Sequence, residues 1–351
     1  MNGKQNCLFV FLIQLVMLTG CYSDDDYYTL GTWRRKADLT GVARGYASSF
    51  TIGDKGYLCC GKREDSRGYL KDLWCYDFAG GYWTQCASLP DEAEARHSAT
   101  AFALSGKGYL TTGQRKEGEL RYLADTWEYD PQTDSWLPKD DFAGTARYGA
   151  ISFVLGGYGY VGTGYDGGWL KDFYRFDPSA PTGSQWTVVN GFGGFKRVYG
   201  SAFVIDNYAY ILCGEQNGSL PEDFWRFDGQ TFTRLRDIAN TNGNEDYDDD
   251  YAITRYAAVT FVQDGVAYLA TGNRLGVTSD YWMYHPETDL WYGDSDDEFT
   301  PLTEADSGGT PRYGSAAFCN GQRLFLLTGV SGNIYMDNMY ELDPHAHEEA
   351  D

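Results

Sequence analysis

The chain has 351 residues, 42% of them hydrophobic and 17% aromatic, with 28 basic against 50 acidic side chains and a formal net charge of −22. So large an acidic excess repels phosphate and excludes a nucleic-acid partner, while leaving a well-hydrated surface. With 43 glycines and only 10 prolines the chain is turn-rich without being of low complexity, and its apolar content suffices for a large core.

The first twenty residues differ in kind from the rest. Lys4 precedes CLFVFLIQLVML, an apolar run too short to span a bilayer but suited to the core of a signal peptide. Leu18-Thr19-Gly20-Cys21 resembles a bacterial lipobox, which implies cleavage before Cys21 and lipid on its sulfur. The following YSDDD resembles the surface-export signal of Bacteroidetes lipoproteins. The expected division is therefore a leader over 1–20, then lipidated Cys21 and an acidic tether over 21–27. The expected location is the outer membrane, exposed at the cell surface or otherwise facing the periplasm. Lipidation consumes Cys21 and cleavage removes Cys7, which leaves Cys59, Cys60, Cys75, Cys86, Cys213 and Cys319. They form no CxxC pair or Cys/His cluster that would suggest metal. Cys75 and Cys86 flank the Gly80-Gly81 turn symmetrically, which allows either a cross-hairpin disulfide or two small buried thiols.

From residue 44 a unit repeats six times. Arg44, Arg96, Arg147, Arg197, Arg255 and Arg312 open the copies, with spacings of 52, 51, 50, 58 and 57. Six residues after each Arg stands Phe (Phe50, Phe102, Phe153, Phe203, Phe261, Phe318), and thirteen after it an aromatic (Tyr57, Tyr109, Tyr160, Tyr210, Tyr268, Phe325). A period near 50 is the size of one four-stranded propeller blade. Within a copy, RYGAISFVL predicts the first strand, with small residues three and five after the Arg where innermost strands crowd an axis. Turn pairs such as Asp264-Gly265 lead to a second strand of the GYVGTG type, and DTWEYDP predicts the third. The fourth is centred on Trp83, Trp136, Trp186 or Trp291, with Phe232 in the fourth copy.

The sixth copy has no fourth strand of its own. Asp72 to Trp83, Asp125 to Trp136 and Asp280 to Trp291 are each eleven residues apart, whereas eleven beyond Asp337 lies Glu348, in HAHEEAD. Leu30-Gly31-Thr32-Trp33, ahead of the first Arg, is a fourth strand without a blade. Joining the two ends closes the ring and removes its open sheet edges. The sequence thus predicts an all-β, six-bladed propeller over 28–344 and a polar tail over 345–351 that holds His345 and His347.

The leading Arg, the Tyr-hydrophobic-x-x-Gly second strand and the Tyr-Asp-Pro-x-Thr-x-x-Trp hairpin resemble the kelch-repeat family over essentially the whole mature length. One departure runs through every copy: the family's double glycine is here Cys60-Gly61, Thr112-Gly113, Thr163-Gly164, Cys213-Gly214, Thr271-Gly272 and Thr328-Gly329. In kelch domains that bind acidic peptides, arginines at the matching strand starts grip carboxylates. The resemblance implies that option for Arg44, Arg96, Arg147, Arg197, Arg255 and Arg312, whose forks suit a planar carboxylate. The competing expectation is structural. Asp72, Asp125, Asp172, Asp223, Asp280 and Asp337 begin the third strands on the same face, and each is placed to pair with an Arg inside its blade. Variable loops share that face, and Tyr148, Tyr165, Trp169, Tyr199 and Tyr256 are candidates for stacking on sugar rings.

Other signals are sparse. NGNEDYDDDY, 242–251, lacks the spacing of a calcium loop and is read as a charged loop. His97 is expected on the Arg face and His285 in a hairpin turn on the opposite face, which excludes the copper site of galactose oxidase. Two functions stay in view, neither with a cofactor or metal. One is a monomeric, lipid-tethered module that binds a glycan or a protein partner. The other is a sialic-acid epimerase or mutarotase, an activity implied by resemblance to periplasmic kelch proteins, with His97, Glu215 and Asp166 as acid/base candidates.

Overall fold

The computed structural model describes residues 28–64, 68–240, 243–244, 247, 251–293 and 299–349. The expected leader, the expected lipidation site at Cys21 and the expected acidic tether lie outside the described residues, as does most of the 242–251 run. Among the described residues no helix is long and apolar enough to cross a membrane.

Six four-stranded antiparallel sheets succeed one another along the chain. The first blade runs Ser48–Ile52, Lys55–Cys59, Leu73–Asp77 and Tyr82–Cys86 from axis to rim. The third, Ile151–Leu155, Tyr158–Gly162, Phe173–Phe176 and Trp186–Val189, shows the plan equally well. Each first strand begins four residues or so after its Arg, so the Arg itself lies on the approach to the strand. Extra two-stranded ribbons, Gln114–Glu117 with Glu119–Tyr122 and Val330–Ser331 with Ile334–Tyr335, decorate the second and sixth blades. Phe232–Arg234 forms the outer strand of the fourth blade, as the sequence predicts.

The two aromatic positions of the repeat explain how blades pack. The Phe and the aromatic seven residues later are direct cross-strand partners in all six blades, from Phe50 with Tyr57 to Phe318 with Phe325. Four of these pairs stack nearly face to face, with centroids 4.9–5.4 Å apart. The Phe then lies over a small residue of the neighbouring blade. A Cβ on Gly108 would stand 2.2 Å from the Phe50 ring, so glycine there makes room for the wedge.

Closure occurs between the chain's ends. Tyr28–Arg35 pairs antiparallel with Met339–Glu349, setting Trp33 opposite Leu342 and Arg35 opposite Tyr340. Trp33 is 1% exposed and its indole donates to the Thr300 carbonyl at 3.1 Å. Trp83, Trp136 and Trp186 make the same outward bond to connectors of the preceding blades, so the N-terminal strand stands in for the missing one. Two expectations are corrected. The final strand continues to Glu349, so the predicted tail from His345 is strand up to that point, its length set by its eight-residue partner. Asp337 precedes that strand, and its carbonyl accepts the Leu39 amide at 2.8 Å.

Candidate functional site

Strand starts, second-strand ends and blade connections meet on one face, where the repeat builds two layers. The deeper layer is the arginines. All six are 0% exposed. In every blade Nε donates to the carbonyl two residues before and one terminal nitrogen to the carbonyl sixteen residues on, as Arg147 does to Thr145 (2.9 Å) and Thr163 (2.9 Å). Five pair with the Asp that opens the third strand: Arg44–Asp72, Arg96–Asp125, Arg147–Asp172, Arg197–Asp223 and Arg255–Asp280, at 2.5–2.7 Å. Four of these Asp side chains also receive an indole two residues on, from Trp74, Trp127, Trp225 and Trp282. Burial alone would push Asp125 and Asp280 upward, but the guanidinium and indole donors hold both carboxyls below the usual range.

The five paired guanidiniums are saturated and all six are out of reach of solvent, so the expectation that they grip a ligand is corrected: they are scaffold. The second correction concerns the last pair. Arg312 bonds Asn338 Oδ1 at 2.7 Å, not Asp337. Its other terminal nitrogen has no hydrogen-bond partner among the described residues, and the group lies 5.3 Å from the centre of the Tyr340 ring. Burial without a carboxylate brings Arg312 down to about 10. The signal was in the sequence: Asp-x-Trp or Asp-x-aromatic in the other blades aligns with Asn338-Met339-Tyr340.

The arginine layer props up strained backbone. The carbonyl it receives belongs to Cys60, Thr112, Thr163, Cys213, Thr271 or Thr328, all with φ between 57° and 64°. Such left-handed non-glycine residues cost about 1 kcal/mol or more each. The glycine that follows cannot be exchanged: a Cβ on Gly164, with φ 98°, would sit 2.8 Å from the Tyr148 carbonyl oxygen.

Above lies the rim. The residue after each Arg bridges to the one seventeen beyond it, from Gly45 with Lys62 and His97 with Gln114 to Tyr313 with Val330. The next residue along (Tyr46, Ser98, Gly149, Tyr199, Ala257, Gly314) is left-handed in every blade. Its amide donates to the same position of the preceding blade: Ser98 to Tyr46, Gly149 to Ser98, Tyr199 to Gly149, Ala257 to Tyr199, Gly314 to Ala257 and Tyr46 to Gly314, at 2.7–2.9 Å. Six hydrogen bonds thus close a belt around the axis and frame a well of about 130 Å³.

Around this belt half-buried aromatic rings form a collar. Tyr69 stacks on His97, which leans on Tyr46; Tyr46 contacts Tyr199 and Tyr313, and Tyr313 contacts Tyr256. Tyr199 contacts Tyr148, which meets Tyr122 and Tyr165, and Tyr165 meets Trp169 edge-on at 5.3 Å. The predicted Tyr148, Tyr165, Trp169 and Tyr199 are therefore one contiguous group, and Tyr256 joins it through Tyr313 and Tyr46. Sequence reasoning missed Tyr46, Tyr69, Tyr122 and Tyr313. Tyr46 and Tyr313 occupy the same repeat positions as Tyr199 and Tyr256, a signal that was present. Burial raises Tyr148 to about 12 and raises Tyr46 and Tyr199 further, so the collar's hydroxyls keep their protons.

The acid/base candidates are held rather than poised. His97 is 6% exposed, and burial, with Lys62 second, takes it down to about 3. Gln114 Nε2 donates to its Nε2 at 2.9 Å, so Nδ1 carries the proton and donates to Ser98 Oγ at 2.9 Å. Glu215 accepts the Trp169 indole at 3.2 Å and the Gly218 amide, while Asp166 accepts the Gly168 amide of its own loop at 3.2 Å. His285 ends a third strand, Tyr281–His285, at the far end of its blade from the arginines. Among the described residues no group of three or more His, Cys, Asp or Glu side chains is placed to hold a metal.

No protein-family model matches the chain, and no curated protein matches it in sequence. Among solved structures, one titled "Structure of YjhT" superposes with a TM-score of 0.67 over 87% of this chain and 96% of that one, at 16% identity. A likeness at that identity carries the architecture: the chain is an all-β, six-bladed propeller.

Proposed function

We propose that this kelch-type propeller is a non-catalytic, carbohydrate-binding module, tethered at the bacterial surface through lipid on Cys21. The observation that carries the reading is the collar: rings from all parts of the circle, all but His97 partly exposed, around a belt that fixes their backbone. Flat faces offer stacking area at little conformational cost, and protonated tyrosine hydroxyls with the Glu215 and Asp166 carboxylates supply hydrogen bonds to sugar hydroxyls. The variable rim on a constant frame is how repeat rings hold ligand sites. With all six arginines buried away from solvent, a carboxylate clamp of the sialic-acid epimerase kind would have to be built from rim cations such as Lys62 and Arg274.

A glycan array probed with the purified protein tests the reading. One or more glycans are retained, and Trp169→Ala weakens retention about tenfold, or ~1.4 kcal/mol, without lowering the melting temperature. An array with no retained glycan contradicts the proposal. So does accelerated anomer exchange of sialic acid by NMR that His97→Ala abolishes, which would assign the enzymatic alternative.

A further inference from the structure

Between the first and second blades, away from the collar, lies a cleft of about 230 Å³ that the binding reading does not use. Cys75 and Cys86 both open onto it, with Tyr129 and Asp134 of the second blade opposite. The hairpin register pairs Leu73 with Cys86 and Cys75 with Thr84, which makes the two cysteines diagonal neighbours on one face. The Cys86 thiol points toward the Thr84 carbonyl, 4.0 Å away, and the two thiols are close enough to shift each other's protonation. Cys75 is buried at 8% exposure, whereas Cys86 is half-exposed.

We propose that Cys75 and Cys86 are a thiol-exchange site for low-molecular-weight disulfides, with Cys86 as the attacking and Cys75 as the resolving thiol. The Cys86 thiolate attacks one sulfur of R–S–S–R, forming Cys86–S–S–R and releasing R–S⁻. Cys75 loses its proton to solvent and attacks the Cys86 sulfur, forming the Cys75–Cys86 disulfide and expelling a second R–S⁻. Two protein thiols are oxidised and one external disulfide is reduced, with both protons passing to the released thiolates or to buffer.

The surroundings assign the order. The Cys75 thiol donates toward Cys86 and so favours a thiolate there, against the cost of burial; Tyr129 adds a second contact. Lys55, two strands away in the same blade, helps, while Asp134 opposes. Tyr57 lies beside Cys75, and Asp77 completes the wall. The balance brings Cys86 down to about 7 and pushes Cys75 up. Elsewhere Cys59, Cys60 and Cys213 are fully buried, and the Cys319 thiol donates to the Val262 carbonyl at 3.1 Å.

Reaction of the full chain with dithiobis(nitrobenzoate), followed by site-resolved mass spectrometry, is the test. Cys86 reacts about tenfold faster than Cys319. Its rate is half-maximal near pH 7, two nitrothiobenzoates leave per site, and a Cys75–Cys86 crosslinked peptide forms. In Cys75→Ser one leaves, and the adduct stays on Cys86. A fast phase that survives Cys86→Ser, or a Cys75→Ser protein that carries no adduct on Cys86, overturns the assignment. Neither outcome bears on glycan retention, so the two proposals fail separately.

Discussion

Arg147 and Tyr148 are neighbours in sequence and opposites in role. Arg147 is fully buried, carries a carboxylate partner and two carbonyls, and has an equivalent in every blade. Tyr148 is half-buried and touches three rings from two other loops and the belt, and its counterparts are Gly45, His97, Val198, Tyr256 and Tyr313. Constancy marks the layer that holds the ring together; variation marks the layer free to meet a ligand. A charged residue recurring six times invites a binding interpretation, yet its constancy is what a closed symmetric frame requires.

The same contrast holds within the arginine layer. Arg96 to Asp125 is a completed ion pair, while Arg312 has an amide where the carboxylate should be. Removing one member of a buried pair strands the other, so Arg96→Met should destabilise by about 3–5 kcal/mol in chemical denaturation. Arg312→Met leaves the Asn338, Thr310 and Thr328 oxygens without their donor but strands no carboxylate and relieves an uncompensated charge, so it should cost less than Arg96→Met, about 1–2 kcal/mol. Equal losses would show that Arg312 has a partner of comparable strength. Conversely, Asn338→Asp supplies the missing carboxylate and should raise the melting temperature by about 3 °C. A fall would mean that desolvating the new charge outweighs its bonds.

A smaller effect concerns acid. The unfolded His97 takes a proton near its ordinary 6.5 while the folded one resists until about 3, so stability drains as pH falls between those values. His97→Gln removes that drain. The variant should lose about 1 kcal/mol less than the parent between pH 6 and pH 5. Below about pH 4 both should weaken together, because Asp125 and Asp280 have depressed values whose stabilisation fades as those carboxyls protonate. Parallel curves from pH 7 to 5 would contradict a buried neutral imidazole.

What the sequence disclosed follows from repetition. Phe at six and an aromatic at thirteen residues after each Arg could be seen because six copies carry the same wedge, and closure because Trp33 had no blade and Asp337 no tryptophan. Three things stayed hidden. Asp337 and Asn338 stand side by side, and choosing between them needed the Tyr340 alignment. The strand character of HAHEE depends on a partner more than 300 residues away, not on its own pattern. The burial of the arginines depends on how tightly blades converge, a property of the assembled ring that no single repeat records.

The separation of the two layers can be tested in one experiment, because Arg312→Met is expected to fold. Affinity for an array-identified glycan and the melting temperature are measured side by side for Arg312→Met and Trp169→Ala. The account predicts unchanged affinity in the first, and in the second a roughly tenfold loss at an unchanged melting temperature. A folded Arg312→Met protein that no longer binds, or a Trp169→Ala protein that binds like the parent, would contradict it.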